Sequence, residues 1–115
     1  MSACVYVPAK TTDSTKVQHI VLIWLKDSGN KDHRQRIINV SRTFAAIKGV
    51  KNLRVGSVLP SNRKIVDSSF DIGISMSFES VEAMDVYINH IDHVKAVQNI
   101  IKPLTSKIRV YDFID

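Results

Sequence analysis

Residues 17–25, with the sequence VQHIVLIWL, decide the fold of this 115-residue chain. Successive residues of an extended strand point to opposite sides, so odd and even positions form two separate faces. One face carries Val17, His19, Val21, Ile23 and Leu25, and the other carries Ile20, Leu22 and Trp24. Both faces are apolar, which is typical of a strand that is covered on both sides. The segment therefore predicts a β-strand in a sheet with a second layer against each face.

The clearest second strand is predicted at residues 70–78, with the sequence FDIGISMSF, in which apolar residues alternate with small or polar ones. Further strands are predicted at 52–59 and 107–114. We expect the small side of 70–78, which carries Gly73, Ser75 and Ser77, to line a cavity or an interface.

Two helical regions separate the strands. The first is predicted over 32–48, and the second begins at the capping residue Ser80 and closes at Pro103. The expected buried stripe at the start of the second region consists of Val81, Met84, Ile88 and Ile91. The element order strand, helix, strand, strand, helix, strand predicts an α+β fold, a ferredoxin-like βαββαβ protomer with an antiparallel four-stranded sheet and helices on one face. The other face is expected to meet the sheet of a second copy in a homodimer.

The composition is that of an ordinary globular domain, with 44% hydrophobic and 23% charged residues. The formal net charge is +5, but the basic residues are spread along the chain and no cluster combines them with exposed aromatic residues. We therefore predict no nucleic-acid partner. No apolar run approaches the ~20 residues that a membrane-spanning helix needs.

The N-terminal residues 1–16 are predicted to be a flexible tail and residues 17–115 the folded domain. The single cysteine, Cys4, excludes an intrachain disulfide. It follows small residues, as at the end of a bacterial lipoprotein signal, although the charged and apolar regions that precede such a site are missing. Two interpretations stay open: a cytoplasmic protein if Met1 is the native start, or a protein anchored to a bacterial envelope by a lipid on Cys4. A membrane is a predicted partner only in the second case.

Histidines mark the candidate site, because their unperturbed pKa lies close to neutral pH. His19 lies in the first strand, and His90 and His93 follow Tyr87 in the segment YINHIDHV. In the simplest interpretation the two later histidines end a helix and bind backbone carbonyls. If His19, His90 and His93 converged, they would suit zinc. Few carboxylates stand nearby to orient them, so no metal site and no cofactor is predicted.

The remaining histidine, His33, lies in the first turn of the first helix and is expected to be solvated.

The chain resembles the stress-responsive A/B barrel family, also called dimeric α+β barrel proteins, over about residues 17 to 114. The motifs that carry the resemblance are HIVL at 19–22, FDIGI at 70–74, FES at 78–80, YINHIDH at 87–93, KPL at 102–104 and VYDF at 110–113. The resemblance implies a ferredoxin-like protomer and a homodimer whose two sheets form a barrel. Most members of the family have no assigned chemistry, and some are described as stress-induced proteins.

One relative, the plant polyketide cyclase olivetolic acid cyclase, closes a linear polyketide by an aldol reaction without a metal or cofactor. Its catalytic tyrosine and histidine match Tyr87 and His93, and its strand-one histidine matches His19. This chain departs from the cyclase at Ile72, where the cyclase has a further pocket histidine. The resemblance thus implies Tyr87 and His93 as candidate catalytic residues. The candidate ligand-pocket residues are His19, His90, Ile72 and Trp24. A straight helix would not bring Tyr87 and His93 to one face, whereas a break in the helix near Asp92 could bring them close.

Three functions follow from these observations. The leading hypothesis is a homodimeric protein that binds a small hydrophobic or aromatic ligand without committed catalysis. The alternative is a cofactor-independent cyclase or related proton-transfer enzyme that uses Tyr87 and His93. The third is a purely structural partner module, for which ligand screens would find nothing.

Overall fold

A computed structural model describes residues 16–115 of the chain. The sheet contains four strands: β1 Val17–Leu25, β2 Lys51–Ser57, β3 Ile72–Phe78 and β4 Thr105–Ile114. All neighbouring strands are antiparallel, and their order in the sheet is β2-β3-β1-β4. This arrangement confirms the predicted ferredoxin-like α+β fold. Of the predicted tail, only Lys16 falls within the described residues.

The helical segments are α1 Lys31–Arg42, a 3₁₀ turn Thr43–Ala46, α2 Val81–Ile88, α3 Ile91–Ala96, a π-helical turn Val97–Ile101 and α4 Lys102–Leu104. Asn30 and Ser80 begin α1 and α2, because each side chain accepts a hydrogen bond from a backbone N–H three residues later. The predicted first helix was too long. The chain tightens into the 3₁₀ turn after Arg42, which keeps Phe44 buried, and Ile47 is already extended.

Within residues 16–115, the helices cover only one face of the sheet. The inward residues of β1 and β3 are register partners, such as Ile23 opposite Ile72 and Val17 opposite Phe78, and all four are 1% exposed or less. They pack against the apolar side of α1 and the following 3₁₀ turn and against α2 and the π-helical turn. The helices therefore cover one of the two apolar faces of β1 that the sequence predicts to be covered.

The expected buried stripe of the second helical region is wrong in three of its four members. Val81, Ile88 and Ile91 are 46%, 36% and 57% exposed, and the residues of α2 that enter the core are Met84 and Tyr87. The chain leaves helical geometry after Ile88 and starts again at Ile91, so the stripe cannot continue with one helical period across this gap.

A buried carboxylate holds the connection between β1 and α1. Asp71, which is 5% exposed, accepts hydrogen bonds from the backbone N–H groups of Leu25 and Gly29, both at 2.9 Å. Gly29 has a φ of 81°, a conformation that glycine adopts without steric cost. Asp71 therefore fixes the turn that carries the chain from the sheet into the helical layer.

None of the helices in residues 16–115 combines the length and the apolar character that crossing a membrane requires.

Candidate functional site

A cavity of about 270 Å³ lies between the covered face of the sheet and the helical layer. Its wall is mostly apolar, and four polar side chains enter it: His19, Tyr87, His93 and Asp112. Edge strand β4 forms its outer wall with Ile108 and Val110, Ile88 of α2 adds to the wall, and the π-helical turn contributes Val97 and Ile101. Ile108 and Val110 are 39% and 50% exposed, so the cavity opens to solvent beside β4.

The first polar pair of the cavity joins two facing residues of neighbouring strands. His19 of β1 stands directly opposite Asp112 of β4, and Nδ1 of the imidazole lies 2.5 Å from Oδ1 of the carboxylate. An ionised carboxylate only accepts hydrogen bonds, so Nδ1 carries the proton and donates it. The pairing fixes the ring of His19, which is 5% exposed, and leaves Nε2 without a proton in the neutral imidazole.

Asp112 was not predicted as a site residue. It occupies the position after Ile108 and Val110 in the alternating pattern of the last strand, so it is a lone carboxylate on an otherwise apolar face. That pattern was the available signal, because a charge on such a face is costly unless it has a partner.

The second polar pair depends on the break between α2 and α3. Asn89 ends α2 with φ −91° and ψ 0°, and His90 is extended with φ −65° and ψ 136°. The imidazole of His90 accepts a hydrogen bond from the backbone N–H of Asp92 at 3.1 Å and so caps α3. The break that could bring Tyr87 and His93 together is present, and it lies at Asn89 and His90 rather than at Asp92. It brings the rings of Tyr87 and His93 to 4.5 Å between centroids.

His93 is held in one tautomer by the end of α2. Its Nδ1 lies 2.9 Å from the carbonyl oxygen of Ile88, which can only accept, so Nδ1–H is the donor and Nε2 is free of a proton. Burial lowers the pKa of His93, with small further contributions from His19 and His90; the hydrogen bond to Ile88 opposes the shift. The neutral imidazole therefore predominates at neutral pH.

Tyr87 lies at the centre of an aromatic cluster and is 2% exposed. The ring centroids of Phe78, Phe44 and His19 lie 5.3, 5.9 and 6.1 Å from its own. Burial raises the pKa of the phenol, so the hydroxyl keeps its proton. Within residues 16–115, no side chain or backbone group hydrogen-bonds to this hydroxyl, so it is available to a molecule in the cavity.

The structure thus brings three of the predicted site residues, His19, Tyr87 and His93, to one cavity and places the other three elsewhere. His90 caps α3, and Ile72 is fully buried in the core. Trp24 lies on the opposite face of the sheet, because it is an even-numbered residue of β1. There its Nε1 donates a hydrogen bond to Ser69, and the ammonium of Lys107 lies 4.2 Å from the ring centroid.

The zinc alternative does not form in the described part of the chain. Across residues 16–115, no three side chains of histidine, cysteine, aspartate or glutamate are grouped so that they could hold a metal ion. His90 is directed to the backbone of α3 instead of joining His19 and His93. His33 is half-buried rather than solvated, and its buried Nδ1 has no hydrogen-bond partner in the part of the chain that the structure describes.

Comparison with known proteins places the chain in one family. The model of the family described as Stress responsive A/B Barrel Domain matches residues 17–115. A stress-response A/B barrel domain-containing protein of Arabidopsis thaliana is 27% identical over 106 residues. The match covers 92% of this chain and 39% of that protein, so the chain spans about two fifths of the length of this relative.

Solved structures share the fold at low identity. A dimeric ferredoxin-like protein of unknown function from Thermobifida fusca has a TM-score of 0.73 and 22% identity, over 90% of this chain and 93% of that one. The hydroxynitrile lyase of Passiflora edulis has a TM-score of 0.74 and 20% identity, over 87% of this chain and 93% of the lyase chain.

Proposed function

Because the chain belongs to the stress-responsive A/B barrel family, we propose that it is a homodimeric domain that binds a small, largely apolar molecule in the cavity between its sheet and its helices. The observation that supports the proposal is the composition of the cavity wall. The wall is apolar except for a few polar side chains, His19, Tyr87, His93 and Asp112. Small-molecule sites in proteins have this composition, in which apolar area supplies affinity and a few polar groups fix orientation.

The size of the cavity limits the ligand. About 270 Å³ lies just below the usual range of ~300–1,000 Å³ for small-molecule sites. A compact ligand of one ring with short substituents fits this space.

The uncovered face of the sheet supports the homodimer. A ridge runs along this face. Its apolar members are Ile20, Leu22, Trp24, Tyr111 and Phe113, and Arg109 and Lys107 stand beside Leu22 and Trp24. Tyr111 and Phe113 are 54% and 52% exposed. Beside the ridge lies a shallow trough floored by Gly56, Gly73 and Ser75. A two-fold interface brings one patch against its own copy, so a ridge next to a trough is a shape that can complement itself. The Thermobifida fusca neighbour is described as dimeric.

Light scattering and ligand titration test the two parts of the proposal. The purified full chain should have twice the chain mass, and p-xylene should shift NMR signals of cavity residues in a saturable way. Ile108→Trp should block the mouth of the cavity and abolish these shifts. The matched control is Val86→Trp, since Val86 is 57% exposed on α2 and does not line the cavity. A monomer would refute the dimer, and unsaturable shifts would refute the cavity as a binding site.

The second candidate is a cofactor-independent cyclase-like or other proton-transfer enzyme, which the pairing of Tyr87 and His93 favours. Nε2 of His93 can accept a proton from a carbon acid, while the Tyr87 hydroxyl hydrogen-bonds the neighbouring carbonyl oxygen. General acid–base catalysis of this kind contributes roughly 10²–10⁴-fold in rate. The hydroxynitrile lyase of Passiflora edulis is an enzyme that uses the same fold.

Hydrogen exchange in D₂O tests this candidate without knowledge of the natural substrate. Small aryl ketones incubated with the protein should exchange their α-protons faster than in buffer. His93→Ala and Tyr87→Phe should both remove the acceleration, and His33→Gln should keep it. Exchange that is unchanged in His93→Ala would exclude His93 as the base.

A further inference from the structure

We propose that the cavity selects neutral ligands that donate a hydrogen bond, such as phenols and alcohols, over ethers and carboxylates of the same size. This inference rests on the proposed ligand-binding function. It follows from the hydrogen-bonding groups that the protein leaves unused inside the cavity.

Both imidazoles of the cavity offer only an acceptor. Nδ1 of His19 donates to Asp112, and Nδ1 of His93 donates to the carbonyl oxygen of Ile88. Neither the ionised carboxylate nor the carbonyl has a proton to give, so these hydrogen bonds cannot reverse direction. In the neutral form of each ring the remaining polar atom, Nε2, is a lone pair that can only accept a hydrogen bond.

Tyr87 supplies the complementary group. Its hydroxyl has no partner among the described residues and can both donate and accept. A ligand hydroxyl can donate to one Nε2 and accept from Tyr87 at the same time. An ether can only accept, so it satisfies Tyr87 and leaves both imidazole acceptors without a donor. A buried polar group that loses its water and gains no partner weakens binding.

A carboxylate fits this cavity worst. None of the described residues that line it is a lysine or an arginine, and the carboxyl group of Asp112 lies in its wall. A bound carboxylate would lose its hydration, face acceptor nitrogens and lie near another anion.

Four ligands with the same methyl-substituted ring test the proposal: p-cresol, p-xylene, 4-methylanisole and 4-methylbenzoate. They are titrated by NMR into the full chain at pH 8. The hydroxyl of p-cresol makes one hydrogen bond more than the ether oxygen of 4-methylanisole and two more than p-xylene can make. One hydrogen bond is worth ~0.5–1.5 kcal/mol, so p-cresol should bind up to about tenfold more tightly than 4-methylanisole and more tightly still than p-xylene. The weakest binding is expected for 4-methylbenzoate. Equal affinities of p-cresol and p-xylene, or tighter binding of the carboxylate, would overturn donor selectivity and leave the ligand-binding function intact. If none of the four binds, the proposed function itself fails.

A spectroscopic measurement on the unaltered protein assigns the acceptors. The Nε2 ¹⁵N signals of His19 or His93 should move when p-cresol is added and stay in place with p-xylene. His93→Phe removes one acceptor but keeps an apolar ring, so it should reduce the preference for p-cresol, and His33→Gln should retain it. If neither Nε2 signal responds to bound p-cresol, the imidazoles are not the acceptors and the proposal is refuted.

Discussion

The rings of Tyr87 and His93 lie 4.5 Å apart between centroids and are tilted by 45°, although six positions separate the residues in the chain. In a continuous helix this spacing would direct them to different faces. The chain stops being helical at Asn89 and His90 and begins a new helix at Ile91, which returns His93 to the cavity. Phe44 packs against both rings, at 5.9 and 5.2 Å, and so holds the pair from the side of α1.

Mutation can separate the contribution of the Tyr87 hydroxyl to stability from that of its ring. Tyr87→Phe should change the free energy of unfolding by less than ~1 kcal/mol, because the lost hydroxyl has no hydrogen-bond partner among residues 16–115. Tyr87→Ala should cost ~3–5 kcal/mol, since it empties the centre of the aromatic cluster. Urea denaturation measures both values, and a large loss in Tyr87→Phe would show that the hydroxyl is bound within the protein.

The histidines should show different tautomers in the free protein at pH 8. We expect Nδ1–H for His19 and His93, because each donates from Nδ1, and Nε2–H for His90, because its Nδ1 accepts from the backbone of Asp92. Long-range ¹H–¹⁵N correlation spectra distinguish the two forms. An Nε2–H tautomer at His93 would contradict the hydrogen bond to Ile88.

The stability of the protein should depend on the protonation of His93. Burial lowers the pKa of His93 below its ordinary value of 6.5, so the unfolded chain takes up the proton first as the pH falls. The contribution of His93 to the free energy of unfolding is therefore complete above about pH 6.5 and decreases below it. The decrease continues until the folded imidazole is also protonated.

Denaturation of wild type and His93→Gln at pH 7.5, 6.5 and 5.5 measures the contribution of His93 to the free energy of unfolding. The variant should lose less stability across this range than wild type, and His33→Gln should follow wild type. Parallel pH profiles for wild type and His93→Gln would contradict the prediction.

The carboxylate of Asp71 should be important for stability. Asp71→Ala leaves the backbone N–H groups of Leu25 and Gly29 without their acceptor. The N–H of Leu25 is buried, and a buried unsatisfied group costs ~1–3 kcal/mol, whereas Gly29 is exposed and water can replace the carboxylate there. Asp67→Ala is the matched control, because Asp67 also accepts from a backbone N–H, that of Ser69, but is exposed. Its effect should stay within ~0.5 kcal/mol. Similar losses in both variants would show that burial of Asp71 does not matter.

The proposed dimer interface can be disrupted with charges. Tyr111→Lys combined with Phe113→Lys places two ammonium groups on the uncovered face of the sheet, and each recurs in the second copy. We expect a monomer by analytical ultracentrifugation. Val81→Lys combined with Val86→Lys alters similarly exposed residues of α2 and should leave the dimer intact. The interface lies elsewhere if the first double variant stays dimeric and the second dissociates.

Much of the fold could be predicted because strand periodicity is local. The alternation in 17–25 and 70–78 is complete within each segment, and the observed register places the same residues on the covered face. The helix ends were less predictable. The end of α1 depends on how Phe44 reaches the core through a 3₁₀ turn. The end of α2 depends on how Tyr87 meets Phe44, which lies in a distant part of the chain.

By itself, the sequence determined the strand and helix order, the two apolar faces of β1 and the types of side chain available for chemistry, because these follow from residue identity and short-range spacing. Only the tertiary structure decided which of those side chains share a site. The pairing of β1 with β4 placed Asp112 opposite His19, and the gap between α2 and α3 turned His93 toward Tyr87. Strand register and helix breaks depend on contacts across the whole domain, so residues 93 positions apart form a hydrogen bond while His90, three positions from His93, caps a helix outside the cavity.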